Sequence, residues 1–491
     1  MVHVDADLRA RRSRVPAWWA DAKLGIFVHW GLFAVPAFAP TDHDVTRLQA
    51  SGERHPWAFS PYAEWYQNSI RFPESPASAF HREHEGGRPY ETYVDPFVAA
   101  LDRWDPDDWA RRFAATGAGY VVFVAKHHDG YCLWPTAVAN PNRPGWHTER
   151  DLVGELAEAV RRHGMRFGLY YSGGLDWTFE PRPIGTFADM LAALPGGTYP
   201  EYAEAQVREL IDRYRPAVLW NDIAWPAPHR RLMDLLTHYY RQVPDGVVND
   251  RWLTPVKGMG VVKTAPARKL IDLAMERAAS GGELVPPKPR FFQYRTPEFA
   301  SFPRIERTPW ECVRGMDKGF GYNRTSVEAD YLTRDELLRS IVDIAAKGGN
   351  LLLNVGPRGI DARIPEEQLT RLGWMEERAP AHERAVVGTR PWIRPEGRSA
   401  EGHEVRYTAW RDAVWAHCWL PDASEAAGTV TLPFVAGPTT SVVDSTGAPL
   451  AFVAQPAATT VELRPMSDPS VVTVGIRGAS PAGEGPDRSC G

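Results

Sequence analysis

The chain has 491 residues, 44% of them hydrophobic, so it is long enough for more than one domain with a real core. Its net charge of −5 gives no basic footprint for nucleic acid, and no apolar run is long enough to span a bilayer. Four scattered cysteines without CxxC spacing indicate reduced thiols. No apolar stretch follows the basic residues near the start, so we expect no secretory signal and a cytoplasmic location.

Tryptophan is the one residue type whose frequency discriminates between functions. The chain has 19 tryptophans, about three times the average usage. Aromatic faces cover the apolar faces of sugar rings, so the excess favours carbohydrate handling. A tryptophan-rich core is the alternative, and composition alone leaves both open.

Short apolar runs alternate with helical patterns along residues 1–385. This alternation predicts a parallel α/β fold, and the continuous apolar character of the runs agrees because parallel sheets are covered on both faces. The predicted strands are GIFVHW at 25–30, YVVFVAKHH at 120–128, MRFGLYYS at 165–172, AVLWND at 217–222, VVNDRW at 247–252, GFGYN at 319–323 and NLLLNVGP at 350–357. The predicted helices include DDWARRFAATGAG, RDLVGELAEAVRRHG, the segment with Val207, Leu210, Ile211 and Tyr214, and DELLRSIVDIAAKG.

The pattern changes after this α/β region. Residues 390–478 contain short strands such as VRYTAW, AVWAHCWL and SVVTVGIRG, separated by Pro, Gly, Asp and Ser. Strands at this spacing with turn signals predict an antiparallel β-sandwich. Residues 479–491 are rich in Gly, Pro and Ser, so we expect a disordered tail.

Polar and aromatic side chains stand where the predicted strands end. In a barrel of parallel strands, the carboxyl ends form the face that carries the chemistry. Hydrogen-bonding groups and flat apolar faces gathered there suit a sugar, whose hydroxyls and ring faces need both. The side chains at these ends are His29, Trp30, His127, His128, Asp129, Tyr170, Tyr171, Ser172, Trp220, Asn221, Asp222, Asn249, Asp250, Arg251, Phe320, Tyr322 and Asn323.

Asp222 is the most informative of these side chains. A carboxylate directly after a buried apolar strand needs hydrogen bonds or a catalytic task, although capping of the following turn is an alternative. A glycosidase needs a second carboxyl group to protonate the leaving oxygen. Glu298 lies in the aromatic stretch FFQYRTPEFASFP, a setting that suits a general acid. Position alone does not choose among the downstream candidates, which are Glu276, Glu283, Glu298, Glu306 and Glu311.

The adjacent histidines have two other interpretations. His127 and His128 beside Asp129 suggest a metal site, but the sequence has no HxH motif to support one. A histidine such as His29, taken alone, is more often a packed core residue than part of a site. Because His29 ends a predicted strand, and the neighbouring strands also end in polar residues, a role in a sugar-binding site is favoured.

Seven motifs follow one another between Trp18 and Pro357. They are WWADAKLGIFVHWGLFAVPAF, AKHHDGYCLWPT, GLYYSGGLDW, VLWNDIAWP, VNDRW, TPWECVRGMDKGFGYN and KGGNLLLNVGP. Together they resemble the α-L-fucosidase family of glycoside hydrolases, the family numbered twenty-nine. The resemblance implies a (β/α)8-like barrel followed by a β-sandwich, and a retaining mechanism without a metal or other cofactor.

The resemblance also implies roles for particular residues. Asp222 in LWND corresponds to the nucleophile and Glu298 in TPEF to the acid/base. The implied contacts to sugar hydroxyls are His29, Glu64, Trp65, His127, His128 and Arg251. The implied apolar slot for the methyl group of fucose is formed by Phe27, Tyr170, Trp220 and Phe320. The implied function is the release of α-L-fucose from small fucosides or fucosylated oligosaccharides by double displacement through a covalent glycosyl-enzyme.

Two alternatives and one departure accompany this interpretation. A metal-dependent hydrolase using His127, His128 and Asp222 would be inhibited by a chelator. A catalytically silent sugar-binding protein is disfavoured because both carboxyl groups are present. The stretch between Arg251 and Glu298 is longer than the family pattern leads us to expect, and it is a candidate lid or homo-oligomer contact. We expect no nucleic-acid or membrane partner.

Overall fold

The computed structural model describes residues 8–43, 48, 53–255, 258–281, 289–420, 428–463 and 471–481. Within these residues, no helix is both long enough and apolar enough to cross a bilayer.

A parallel sheet forms the centre of the first region. In the part of the chain that the structure describes, its seven strands are β1 (Leu24–Val28), β2 (Tyr120–Lys126), β3 (Arg166–Tyr171), β4 (Val218–Asn221), β5 (Val247–Val248), β6 (Trp310–Gly315) and β7 (Gly349–Val355). They run in the order β5-β4-β3-β2-β1-β7-β6, and every neighbouring pair is parallel.

Helices connect the strands and cover the outside of the sheet. Asp105 caps one of them by accepting hydrogen bonds from the backbone N–H groups of Asp107 and Asp108, which a helix start leaves unpaired. The α-helices with both ends in the described residues are α1 (Ala17–Ala22), α2 (Tyr66–Ser69), α3 (Pro76–His84), α4 (Val94–Ala100), α5 (Pro106–Ala115), α6 (Leu152–Arg162), α7 (Phe187–Ala192), α8 (Tyr199–Tyr214), α9 (His229–Gln242), α10 (Ala265–Gly281), α11 (Arg334–Ala346) and α12 (Glu366–Ala385). Short 3-10 helices cover Leu32–Ala34, Pro56–Phe59, Ala63–Trp65, Tyr90–Tyr93, Leu101–Arg103, Met259–Lys263 and Glu328–Asp330.

Residues 293–299 bridge the gap between β5 and β6. The Gln293 N–H donates to the Val248 carbonyl at 3.2 Å, and the Phe299 N–H donates to the Val313 carbonyl at 2.9 Å. Isolated parallel bridges pair Arg295 with Trp310 and Glu298 with Val313. This extended segment stands in the position of an eighth strand, so the sheet curls into the barrel-like form that the sequence predicts.

The predicted strand GFGYN is wrong. These residues form a loop, and the sixth strand is the preceding β6. Glu311 and Arg314 interrupt the apolar run of β6, so its hydropathy pattern does not predict a buried strand. Both charges are accommodated, because Glu311 lies inside the barrel and accepts a hydrogen bond from the Trp220 indole at 3.3 Å, while Arg314 lines a cavity outside it.

Alternate residues of each strand pack on opposite sides of the sheet. All residues of β2 and β7 are buried, as continuous apolar strands require. Ile26 and Val28 belong to the core between sheet and helices, whereas Phe27 points into the barrel interior with Tyr170 and Trp220. Residues that point inward near the carboxyl ends of the strands therefore form the floor of any site on that rim.

The second region is antiparallel. Its described strands are β8 (Arg390–Arg398), β9 (Glu404–Trp410), β10 (Ala413–Trp419), β11 (Thr429–Leu432), β12 (Phe434–Asp444), β13 (Phe452–Gln455), β14 (Ala458–Glu462) and β15 (Val472–Pro481). The larger sheet has the order β12-β15-β10-β9-β8 and the smaller sheet the order β11-β14-β13, with one apolar core. This matches the predicted sandwich. The predicted tail begins too early, because residues 479–481 complete β15 against β12; the remainder, 482–491, lies outside the described residues.

Candidate active site

Asp222 lies immediately after β4 at the rim of the barrel. Its side chain is 11% exposed and has several partners. The Tyr170 hydroxyl donates to its Oδ2 at 2.7 Å, and the Ile223 N–H donates to its Oδ1 at 2.8 Å. The carboxylate is therefore held in one orientation. Tyr170, predicted only as part of an apolar slot, also contacts the candidate nucleophile through its hydroxyl.

Arg251 joins the two candidate catalytic carboxyl groups. Its Nη1 donates to Asp222 Oδ1 at 2.9 Å and its Nη2 to Glu298 Oε1 at 2.5 Å. The guanidinium lies over the Trp220 ring, 4.7 Å from the ring centroid, and Nε donates to the Thr296 hydroxyl at 3.2 Å. The structure thus brings Glu298, from the segment that closes the barrel, to the same guanidinium that contacts Asp222.

The charge state of Asp222 follows from competing effects. Burial raises the pKa of this carboxyl, but the positive charge of Arg251 lowers it, with smaller contributions from His128 and from the hydrogen bonds of Tyr170 and Ile223. The net effect is a pKa below the ordinary value. Asp222 is therefore ionised at neutral pH, as a nucleophile must be.

Three buried histidines line the rim beside Asp222. His29 Nδ1 lies 2.6 Å from Asn354 Oδ1, and His128 Nδ1 lies 2.7 Å from Ser172 Oγ. His128 Nε2 lies 3.8 Å from Asp222 Oδ2. His127 stacks parallel to the Tyr170 ring at 5.5 Å, and its Nδ1 has no partner among the described residues.

Burial keeps these histidines neutral. It lowers the pKa of His29 and of His128 to about 4, and it lowers the pKa of His127 well below the ordinary value. Asn354 Oδ1 only accepts, and the Ser172 hydroxyl donates its own proton to the Leu175 carbonyl, so Nδ1 is the donor in His29 and in His128. The Nε2 atom of both neutral rings is therefore left as an acceptor for a sugar hydroxyl.

Glu64 and Trp65 reach the rim from a 3-10 helix. Glu64 is 3% exposed, and its Oε2 accepts the Gly321 N–H at 2.8 Å. Burial raises the pKa of Glu64 to about 8, so this side chain is largely protonated at neutral pH. Trp65 packs edge-on to His128, with ring centroids 5.3 Å apart. A protonated carboxyl group and an indole both donate hydrogen bonds to acceptors such as sugar oxygens.

The four residues of the predicted apolar slot belong to one buried cluster. Phe27 contacts Trp220 and Tyr170, with ring centroids 5.4 and 5.8 Å apart. Phe320 stacks on His29 at 5.1 Å, although it comes from a loop rather than from the predicted strand. Hydrogen-bonding groups and aromatic faces thus meet at one place, which suits a sugar with an apolar substituent.

A buried ion pair stabilises this rim, and the sequence analysis does not predict it. Lys126 Nζ donates to Asp176 Oδ2 at 2.7 Å, and both side chains are fully buried. The pair joins the end of β2 to the loop after β3, where the Trp177 N–H donates to the His128 carbonyl at 2.8 Å. Lys126 precedes the two histidines directly, but no sequence signal pairs it with a residue fifty positions away.

Comparison with known proteins decides the family. A family model for alpha-L-fucosidase matches residues 5–377. The chain belongs to the α-L-fucosidase family. An alpha-L-fucosidase of Branchiostoma floridae is 30% identical over 457 residues, which cover 90% of this chain and 86% of that protein.

Solved structures of α-L-fucosidases share the fold. The crystal structure of Thermotoga maritima alpha-fucosidase with a mechanism-based inhibitor has a TM-score of 0.77 and 33% identity, covering 96% of this chain and 98% of that chain. The structure of the same enzyme with fucose has a TM-score of 0.76 and 32% identity over the same shares of the two chains. The α-L-fucosidase match extends through the C-terminal sandwich.

Two of the other carboxyl candidates, Glu306 and Glu311, lie away from Asp222. Glu306 pairs with Arg295 at 3.5 Å, and Glu311 lies in the barrel interior below Trp220. Glu283 and the Glu276 side chain fall outside the described residues. No group of three or more His, Cys, Asp and Glu side chains in the described ranges is arranged to hold a metal ion. Metal-independent chemistry, as predicted for a fucosidase, stays a prediction for a chelator to test.

The long segment between Arg251 and Glu298 contains α10. Asp272 on this helix accepts hydrogen bonds from the Thr186 hydroxyl and the Ala188 N–H, both at 3.1 Å, at the start of α7. The helix therefore packs on the region that follows β3 in this fucosidase fold. A role as lid or oligomer contact stays a prediction.

Proposed function

We propose that the chain is a retaining exo-α-L-fucosidase that releases α-L-fucose from small fucosides or fucosylated oligosaccharides. The observation that carries this proposal is the single guanidinium of Arg251 that contacts both Asp222 and Glu298. Retaining glycosidases hold their two carboxyl groups about 5–5.5 Å apart, and inverting ones about 6.5–9.5 Å apart. Two carboxylates that share one guanidinium favour the shorter separation.

In the first step, Asp222 attacks the anomeric carbon of the fucoside. The bond from that carbon to the leaving oxygen breaks while Glu298 transfers its proton to this oxygen. The products are a fucosyl ester of Asp222 and the free alcohol. The tyrosine hydroxyl and the backbone N–H on Asp222 keep its carboxylate aligned for attack.

In the second step, Glu298 removes a proton from water, and the resulting oxygen nucleophile attacks the same carbon. The ester bond breaks and Asp222 leaves as a carboxylate, so the two inversions give net retention. Arg251 donates to Glu298 Oε1, so Oε2 is the oxygen left to carry the proton in the first step.

Sugar specificity follows from the surroundings of these two groups. The neutral histidines, Glu64 and Trp65 provide donors and acceptors for ring hydroxyls. The aromatic cluster around Phe27 and Phe320 provides an apolar surface for the 6-methyl group of fucose. A related sugar with a hydroxyl at that position is rejected only modestly by an apolar slot. Weak turnover of galactosides with matching stereochemistry is the expected side activity.

The relatives support the same substrate class. The Thermotoga maritima enzyme, which shares the fold along almost the whole chain, has been crystallised with fucose. The natural aglycone depends on rim loops, and a cytoplasmic location stays a prediction that cell fractionation checks.

The decisive experiment combines aryl α-L-fucoside hydrolysis with azide rescue. Asp222→Gly is expected to lower kcat by about 10⁴-fold or more, with added azide giving the fucosyl azide of inverted configuration. Glu298→Ala is expected to give the azide of retained configuration, because the covalent ester still forms on Asp222. Glu306→Gln, a partly exposed carboxyl outside the site, is the matched control and is expected to keep full activity.

Three results would contradict the proposal. An initial sugar product of inverted configuration, observed by NMR, would exclude double displacement. Loss of activity with EDTA would replace the carboxylate pair by a metal-dependent mechanism using His127, His128 and Asp222. Absence of turnover on every fucoside, with fucose still binding, would indicate a sugar-binding protein.

A further inference from the structure

The chain turns sharply directly after Asp222. The Ala224 N–H donates to the Asp222 carbonyl at 2.8 Å, and Ile223, the residue between them, has a φ of 64°. A hydrogen bond that spans one residue in this way forms a γ-turn, and the form with a positive φ is rare and strained. Isoleucine is branched at Cβ, and such residues are outliers at positive φ. The backbone is therefore strained next to the proposed nucleophile.

The loop after β3 holds this turn in place. The Gly174 N–H donates to the Asp222 carbonyl at 3.1 Å, so this carbonyl has two backbone donors. The Ile223 side chain packs against the apolar cluster that contains Trp65 and Trp177. Strained backbone persists only where the surrounding structure fixes it, and these contacts provide that restraint.

Two adjacent glycines make room for the turn. A Cβ atom on Gly174 would lie 2.5 Å from the Ala224 nitrogen and 2.7 Å from the Ile223 Cβ. Gly173 is equally enclosed, since its Cβ would lie 2.1 Å from Asn221 Oδ1. Neither glycine has a φ in the left-handed region, so lack of space, and not backbone freedom, requires them. The glycine pair in the motif GLYYSGGLDW thus lets the turn lie directly against the loop after β3.

The turn directs a backbone donor at the carboxylate. The Ile223 N–H donates to Asp222 Oδ1 at 2.8 Å, the oxygen that Arg251 also contacts. Arg251 reaches the carboxylate through a long, rotatable side chain, whereas the backbone of the turn fixes the direction of the Ile223 N–H. Burial raises the pKa of Asp222, and this hydrogen bond adds to the charge of Arg251 in lowering it.

We propose that Ile223 and Gly174 are positioning residues, whose close packing keeps the Ile223 N–H on Asp222 Oδ1 and so aligns the carboxylate for attack. A glycine would adopt a positive φ without strain, so the isoleucine side chain contributes through its packing. This role rests on the proposed function, in which Asp222 is the nucleophile. Alignment matters because a small misplacement of a reacting group costs a large factor in rate.

Gly174→Ala tests the proposal, because the added methyl group overlaps Ala224 and Ile223 and so displaces the turn. The kcat for an aryl α-L-fucoside is expected to fall by about tenfold to a hundredfold. The KM is expected to change by less than about threefold, because the side chains proposed to bind hydroxyls lie on other elements. Gly196→Ala, at an exposed glycine with open space around its Cβ position, is the matched control and is expected to keep wild-type kinetics.

Two substitutions of Ile223 test the packing directly. Ile223→Ala removes most of the side chain and leaves the strained backbone, so the turn relaxes and kcat is expected to fall about tenfold. Ile223→Val keeps the branched side chain and is expected to retain more than about half of the wild-type kcat. Urea midpoints are measured for every variant, so that each kcat is compared under conditions in which the variant is folded.

Titration of Asp222 gives a measurement that does not depend on turnover. In protein with isotope-labelled aspartate carboxyl groups, the Asp222 signal in NMR spectra is the one absent from Asp222→Asn. Its pKa is expected to be higher in Gly174→Ala than in wild type, because the carboxylate loses a hydrogen bond that stabilises its charge. The other titratable groups around this carboxyl, which Gly174→Ala leaves in place, are Arg251, Glu298, His29, His128 and Tyr170.

Wild-type kcat together with an unchanged Asp222 pKa in Gly174→Ala would overturn the proposal. If Gly174→Ala fails to fold, equal kcat values in Ile223→Ala and Ile223→Val overturn it instead. A raised Asp222 pKa in Gly174→Ala supports the positioning of this carboxylate even where Asp222→Gly keeps full hydrolysis, a result that would reject the proposed function alone.

Discussion

Substituting Lys126 by Met tests how the buried ion pair holds the catalytic rim. Lys126 and Asp176 are both fully buried, and their charged atoms lie 2.7 Å apart. Asp176 Oδ1 is satisfied by the Thr178 N–H and hydroxyl at 3.0 and 2.6 Å, whereas Lys126 is the partner of Oδ2. Methionine is similar in length and shape to the lysine stem, so the substitution removes the charge with little change in packing.

The magnitude follows from the geometry. At 2.7 Å and an effective dielectric constant of about 20, the gross attraction is about 6 kcal/mol. Desolvation of the two ions costs several kcal/mol each and offsets much of this attraction. Removing Lys126 alone leaves Asp176 as an uncompensated buried charge, which costs about 3–5 kcal/mol. The double variant Lys126→Met/Asp176→Asn removes both charges and is expected to recover most of that loss.

The assay is urea unfolding followed by tryptophan fluorescence, with the two single variants and the double variant forming a cycle. Arg111→Met, which removes an exposed pair with Asp108, is the control and is expected to change the free energy of unfolding by less than about 1 kcal/mol. Because Trp177 binds the His128 carbonyl beside this pair, activity on an aryl fucoside should fall with Lys126→Met and recover partly in the double variant. A double variant as unstable as Lys126→Met would refute the reasoning.

Three further outcomes are expected. The pKa of Glu64 is about 8 in the folded protein and 4.5 in the unfolded chain, so the free energy of unfolding falls as pH rises between these values. Glu64→Gln should remove this loss, which urea midpoints measured across the same pH range would show. Folding lowers the pKa of His29 and of His128 from 6.5 to about 4, so between these pH values the unfolded chain binds more protons than the folded protein. The free energy of unfolding therefore falls as pH falls through this interval, and His128→Gln should reduce that fall. Glu311→Leu leaves the buried Tyr120 hydroxyl and Trp220 indole without their acceptor and should cost about 1–3 kcal/mol for each in unfolding experiments, whereas Glu311→Gln keeps an acceptor and should cost less.

The fold and the outline of the rim could be predicted from the sequence because both depend on local signals. Buried parallel strands read as apolar runs, and the first polar residues after them mark the carboxyl ends. His29, His128 and Asp222 were found in this way, and the structure places all three around one site. The nature of the residues at the strand ends also pointed to a sugar.

What escaped prediction depends on distant contacts or on charges inside strands. β6 carries Glu311 and Arg314, so its burial inside the sheet is not visible in its hydropathy. Lys126 and Asp176 are fifty positions apart, and only the fold reveals that the loop after β3 returns to the end of β2. The hydrogen bond from the Tyr170 hydroxyl to Asp222 is not predicted, because the apolar slot already gives the Tyr170 ring a role.

The charges at the rim give the site its chemical asymmetry. Burial keeps His29 and His128 neutral and Glu64 protonated at neutral pH. Asp222 remains an anion because Arg251 outweighs its burial. In the proposed mechanism, the positive charge that develops on the sugar ring faces the Asp222 carboxylate in a buried setting, where attraction is stronger than in water. Arg251 balances the charge of Asp222 and also contacts Glu298, so one guanidinium links the two carboxyl groups of that mechanism.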